Sequence, residues 1–73
     1  MKITIECKHN CITVKTKTEA ETLYDFDLKP WITSMELNDF IDKVFDYFSD
    51  ILDENLPYKE IEQVCTKIYK NLK

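Results

Sequence analysis

Two opposite patterns at helical spacing run through residues 37–53. Five aspartates recur every three or four residues, namely Asp39, Asp42, Asp46, Asp50 and Asp53. At about 100° per residue, all five fall within roughly 80° of one another on an α-helix. The opposite side is apolar and carries Leu37, Phe40, Ile41, Val44, Phe48, Ile51 and Leu52. The pattern predicts a long amphipathic helix that buries one face and exposes a row of carboxylates about 20 Å long.

Signals for helix ends flank this segment. Thr33 followed by Glu36 matches a capping box, which predicts a helix start at this point. Asn55 suits the left-handed residue that ends many helices. We therefore predict an acidic amphipathic helix over 33–54 and a second helix over 57–72. The apolar face of the second helix carries Ile61, Val64, Cys65, Ile68, Tyr69 and Leu72.

The first part of the chain has the two-residue alternation of β-strands. If His9 and Asn10 form a two-residue turn, Cys7 pairs with Ile12 and Ile5 with Val14. Every apolar side chain then shares one face, whereas a three-residue loop would split them between both faces. We therefore predict a hairpin with the two-residue turn.

A third strand is predicted where Thr22, Tyr24, Phe26 and Leu28 alternate with other residues, before Pro30. The predicted fold class is α+β. A three-stranded antiparallel meander over 1–28 packs against two antiparallel helices, in the order β-β-β-α-α, and one domain spans residues 1–73.

Composition narrows the classes of function. The chain has no glycine and no arginine, so it lacks the phosphate-cradling loops of nucleotide-binding folds and the best bidentate ligand for phosphate. Three cysteines, an odd number, fit a compartment that keeps thiols reduced. No apolar run is long enough to span a membrane, and Glu6 comes too early for a signal peptide. We expect a cytoplasmic protein, or one in the host cytoplasm if a phage encodes it.

Charge is distributed very unevenly along the chain. The net charge is −4, but residues 18–62 contain thirteen acidic residues and three lysines, a local net charge of −10. The segments on either side carry +3 each. An acidic centre of this kind repels nucleic acid and attracts basic partners.

Catalytic and metal chemistry are not favoured. Acid–base catalysis needs carboxyl groups in different environments, and an exposed row offers five similar ones. Zinc could in principle take Cys7, His9, Cys11 and Cys65, but C-x-H-x-C is not a standard zinc spacing. The predicted hairpin also places Cys7 and Cys11 on opposite faces. We therefore expect no enzyme activity, no metal and no cofactor.

The favoured function is non-catalytic binding to a larger protein. The row of carboxylates approaches the charge spacing of a DNA strand, so it could occupy the basic groove of a nucleic-acid enzyme. Small size and acidity are typical of phage-encoded inhibitors of host defence, such as anti-restriction or anti-CRISPR proteins. The predicted partner-binding residues are Asp39, Asp42, Asp46, Asp50, Asp53, Glu36 and Trp31.

Three alternatives remain open at this point. Lys8, Lys15 and Lys17 make the hairpin basic, which would suit a small nucleic-acid-binding regulator. Unpaired strand edges would suit a structural protein that forms homodimers. The aspartates could also be simply the solvated face of a helix.

Overall fold

The α+β architecture is confirmed, with one more helix than expected. The computed structural model describes residues 3–8 and 10–72. Within these ranges a three-stranded antiparallel sheet in the order β1-β2-β3 is followed by three helices, of which α2 and α3 pack against the sheet and α1 packs against α2 and α3. The strands are β1 (Thr4–Lys8), β2 (Cys11–Lys15) and β3 (Ala20–Leu23), and the helices are α1 (Asp25–Ser34), α2 (Leu37–Leu52) and α3 (Tyr58–Leu72).

The predicted hairpin register is confirmed. Ile5 pairs with Val14 and Cys7 with Ile12, which leaves a two-residue turn between Lys8 and Cys11. In that turn Asn10 has φ 63°, the left-handed conformation that asparagine tolerates; His9 lies outside the described residues. Ile12 and Val14 are completely buried on the sheet face that meets the helices.

The predicted third strand over 22–28 was wrong beyond Leu23. Leu23 is buried, and the chain then turns at Tyr24 into α1, where Leu28 and Ile32 are buried one helical turn apart. Phe26, expected on the apolar side of a strand, is 69% exposed. The alternation of apolar residues over 22–28 therefore does not indicate a strand beyond Leu23. The helical spacing of Leu28 and Ile32 determines which side chains reach the core.

Pro30 lies inside α1 instead of ending a strand. It has no N–H to donate to the Phe26 carbonyl, so α1 lacks one internal hydrogen bond. Its own carbonyl oxygen accepts hydrogen bonds from the Thr33 and Ser34 hydroxyls at 3.2 and 2.7 Å. These hydroxyls occupy the end of α1, so Thr33 does not cap the next helix as predicted.

The acidic helix begins and ends slightly inside its predicted limits. Glu36 is the residue before α2, and its backbone oxygen accepts from Phe40 N at 2.9 Å. Asp53 ends α2 with φ 51°, so it takes the left-handed role predicted for Asn55. Ile51 is 43% exposed and lies outside the buried face, which the other predicted apolar residues of α2 occupy or flank.

The two long helices are antiparallel, as predicted. Near the start of α2, Phe40 contacts Tyr69 at the end of α3, with ring centroids 5.7 Å apart. Further along α2, Phe45 meets Tyr58 at the start of α3, with centroids 5.2 Å apart. The Tyr69 hydroxyl also donates to the Met35 carbonyl oxygen at 2.9 Å, which ties α3 to the link between α1 and α2.

Candidate partner-binding surface

The five aspartates form one exposed surface, which we call the aspartate ridge: Asp39, Asp42, Asp46, Asp50 and Asp53. Four belong to α2, and Asp53 is the left-handed residue that ends it. The opposite face of α2 packs into the core, where Phe40, Val44 and Phe48 are fully buried. Because that packing fixes the helix, the ridge is presented on a rigid element.

The ridge keeps its negative charge uncompensated. Across residues 3–8 and 10–72, none of its carboxylates forms an ion pair with a lysine, and the ion pair present joins Lys15 to Glu6 at 3.5 Å. Lys43 lies on the same helix, but its Nζ is directed to an aromatic ring. Binding of the ridge to a partner therefore breaks no ion pair of the described residues.

One ridge carboxylate is held in position by α3. The Tyr58 hydroxyl donates to Asp42 Oδ1 at 2.9 Å. This hydrogen bond, followed by burial and the negative charge of Asp42, raises the pKa of Tyr58 above its usual value of 10.0. The hydrogen bond gives the Asp42 carboxylate a defined orientation at the edge of the ridge.

Trp31 belongs to α1, and its ring contacts side chains of the acidic helix α2. It is partly buried, its ring meets that of Tyr47 at 65° with centroids 6.0 Å apart, and Lys43 Nζ lies 5.4 Å from its centroid. The indole therefore holds an ammonium group of its own chain against its π-system. This contact was not predicted from the sequence, because residues 25–32 were not expected to be helical.

A solvent-open depression of about 770 Å³ joins Trp31 to the C-terminal half of the ridge. We call it the Trp31 depression. It is lined by Trp31, Lys43, Asp46, Tyr47, Ser49, Asp50, Ile51 and Asp53. The structure thus brings four predicted binding residues together here, and leaves Asp39, Asp42 and Glu36, all exposed, outside it.

Ser49 contributes an unusual polar group to this wall. Its Oγ is buried and has no hydrogen-bond partner among the described residues. A buried hydroxyl without a partner costs stability, because folding removes its water without replacement. Ser49 in the wall of the depression therefore lowers the free energy of unfolding.

The three lysines of the alternative site do not form a compact basic patch. Lys8 lies at the turn end of the hairpin, whereas Lys15 is paired at the other end and already contacts Glu6. Lys15 lies four residue steps along β2 from Cys11, the partner of Lys8, a distance of roughly 13 Å. Lys17 is exposed in the loop beyond Lys15. The carboxylate of Glu6 therefore lies among the three lysines and offsets part of their charge.

The cysteines are divided between the two faces of the sheet. Cys7 pairs with buried Ile12 and packs against the core, whereas Cys11 pairs with exposed Lys8 on the other face. Cys65 is fully buried in α3, and burial is the main cause that raises the pKa of its thiol to about 12. Within the described residues no three histidine, cysteine or carboxylate side chains converge as a metal site; His9 lies outside them.

The structure has an exposed pair of aromatic side chains that was not predicted from the sequence. Tyr24 and Phe26 stack with ring centroids 5.5 Å apart and planes 5° from parallel, and they are 49% and 69% exposed. Both had been expected on the apolar face of a strand. The helix that begins at Asp25 turns them to the surface.

Comparisons with protein families, curated proteins and solved structures found no match for this chain. None of the described helices is both long enough and apolar enough to cross a membrane. A functional proposal therefore depends on the geometry of the surface itself.

Proposed function

We propose that this chain is a non-catalytic modulator that binds a larger protein and fills a basic, nucleic-acid-binding groove with its aspartate ridge. The observation that carries the proposal is that none of the ridge carboxylates forms an ion pair among the described residues, while the packed helix α2 holds four of them in a row. A solvated helix face usually mixes both signs of charge, since like charges three and four residues apart repel. Here successive carboxylates repel along about 20 Å, and none of them forms an ion pair among the described residues.

The spacing supports mimicry of a nucleic-acid backbone. Steps of three or four residues separate successive ridge carboxylates by roughly 5 Å along the helix axis. One strand of B-DNA carries a charge about every 3.4 Å. A groove that binds DNA phosphates with lysine and arginine would therefore meet a similar row of charges on α2.

The inhibitor would act by competition, with an association rate that depends strongly on salt. Phage-encoded inhibitors of host defence nucleases, of the anti-CRISPR or anti-restriction kind, are the most concrete form of the proposal. The ridge is open to solvent along its length, which suits a macromolecular partner better than a small substrate.

The test is affinity capture from nuclease-treated lysate of the native host, at low and moderate salt. The wild-type chain is compared with the ridge variant D42N/D46N/D50N, in which the amide oxygen that replaces the Asp42 carboxylate can still accept from Tyr58. We expect a nucleic-acid enzyme to be retained by the wild type, released by salt and lost with the ridge variant.

A lysine variant serves as the matched control. K8Q/K15Q/K17Q also changes three charges, but on the hairpin, and should retain the same partner. Loss of binding with this variant, or dependence of capture on intact nucleic acid, would favour the nucleic-acid-binding regulator instead. Equal capture by the wild type and the ridge variant would mean that the ridge is only the solvated face of a helix.

Self-association is a second candidate, favoured by the exposed Tyr24–Phe26 pair. Stacked aromatic rings of this size are common anchors of protein interfaces. Light scattering across a concentration series tests it. A dimer that Phe26→Ser dissociates would support this candidate, and a monomer at every concentration would reject it.

A further inference from the structure

We propose that the Trp31 depression is the anchor site for an arginine side chain of the partner, and that Lys43 occupies the site when the partner is absent. The inference rests on the proposed function in one respect, because it supposes a basic partner. It adds the chemistry of the contact and its position on the ridge.

The first support is the cation that already lies on the indole. Lys43 Nζ is 5.4 Å from the Trp31 ring centroid, within the range of about 6 Å over which tryptophan attracts cations. The Trp31 ring is therefore accessible to a positive group at the position that Lys43 of α2 now occupies.

The second support is that Lys43 can leave easily. Its side chain is exposed and forms no ion pair among the described residues, so departure breaks the contact with the indole and little else. A partner cation can therefore exchange with it. The released ammonium group remains solvated at the edge of the depression.

Charge complementarity selects a cationic occupant. The lining carries Asp46, Asp50 and Asp53 against Lys43 alone, so the depression is negative even with the lysine in place. Asp46 and Asp50 are one helical turn apart and both exposed.

Arginine suits this arrangement better than lysine. Its planar guanidinium group stacks on aromatic rings and can pair with a carboxylate through two hydrogen bonds. In the depression the same group would lie against Trp31 while its fork binds Asp46 or Asp50. An ammonium group is a point charge and gains less from the planar ring and the paired oxygens.

The test uses fluorescein-labelled hexaarginine and hexalysine peptides as probes, at matched ionic strength. Binding is followed by anisotropy and by the emission of Trp31, the only tryptophan of the chain. We expect hexaarginine to bind at least about fivefold more tightly than hexalysine, and to change the Trp31 emission more at saturation.

Two pairs of variants localise the contact. D46N/D50N removes carboxylates of the depression, and D39N/D42N removes the same charge from the ridge outside it. Lys43→Met vacates the indole, and Lys59→Met makes the same charge change on exposed α3. Hexaarginine should bind more weakly to D46N/D50N than to D39N/D42N, and more tightly to Lys43→Met than to Lys59→Met.

The outcomes separate this inference from the proposed function. Equal affinity for the two peptides, or equal losses with the two aspartate pairs, would overturn the anchor site even if the ridge still captured its partner. An arginine preference localised to the depression would uphold it even if capture found no ridge-dependent enzyme. Circular dichroism confirms that each variant is folded before its affinity is compared.

Discussion

At the scale of single residues, the Ser49 hydroxyl destabilises the fold, because it is buried without a hydrogen-bond partner among the described residues. Ser49→Ala removes this group and replaces serine with a better helix former. We expect the free energy of unfolding to rise by roughly 1 kcal/mol, the usual scale for an unsatisfied buried hydroxyl. Urea denaturation measures the change, and a lower midpoint for the alanine variant would contradict the account.

Cys65 gives a pH dependence at the same scale. Burial raises the pKa of its thiol from 9.0 to about 12, so the unfolded chain releases this proton at lower pH than the folded chain. The stabilisation is present below pH 9 and is lost as the pH rises through 12. Between these values we expect the free energy of unfolding to fall with a slope of up to about 1.4 kcal/mol per pH unit from this group.

Cys65→Ala is the matched control for that slope. It is less stable at neutral pH because it leaves a cavity, but it lacks the thiol that titrates. Denaturant titrations from about pH 8 to about pH 11 should show a steeper decline for the wild type than for this variant. Parallel curves would mean that Cys65 ionises as readily in the folded chain as in the unfolded one.

At the scale of elements, α1 forms despite Pro30 at its sixth residue. Pro30→Ala restores the missing donor to the Phe26 carbonyl and relieves the ring clash. We expect the free energy of unfolding to increase by roughly 1 to 2 kcal/mol, since the gain in the helix exceeds the entropy regained by the unfolded chain. A destabilised variant in thermal denaturation would indicate that residues 25–34 need the proline geometry.

The same element shows what could be predicted from the sequence and what could not. The acidic helix and the hairpin were predicted because each has a long, consistent pattern that only one period satisfies. Residues 22–32 contain both periods, since Tyr24, Phe26 and Leu28 alternate while Leu28 and Ile32 lie one helical turn apart. The helix forms because it buries both Leu28 and Ile32 in the core. That burial depends on how the elements pack in the fold, so the local pattern alone could not predict it.

The candidate surface was predictable to a similar degree. The ridge follows directly from the spacing of its aspartates, and all five are exposed as expected. The contact of Lys43 with Trp31 was not predictable, because it depends on how α1 packs against α2. A site built on one element can be found from periodicity, whereas a site between elements needs the fold.

At the scale of the whole molecule, the ridge should cost stability that salt restores. The variant D42N/D46N/D50N removes all four neighbouring repulsive pairs along the ridge, each worth a few tenths of a kcal/mol, so we expect it to be roughly 1 kcal/mol more stable at low salt. At 1 M salt the Debye length falls to about 3 Å and the difference should largely vanish. Urea titrations at both salt concentrations measure it, and a difference independent of salt would rule out repulsion as its cause.

The displacement of a labelled DNA duplex from the captured partner tests the central claim most directly. The partner is first saturated with the duplex, and the protein is then added while anisotropy reports the bound fraction. We predict that the wild type releases the duplex completely, and that D42N/D46N/D50N needs at least about tenfold more protein, because competition depends on the ridge charges. A ternary complex that keeps the duplex bound at saturating protein, or equal competition by the variant, would contradict the account.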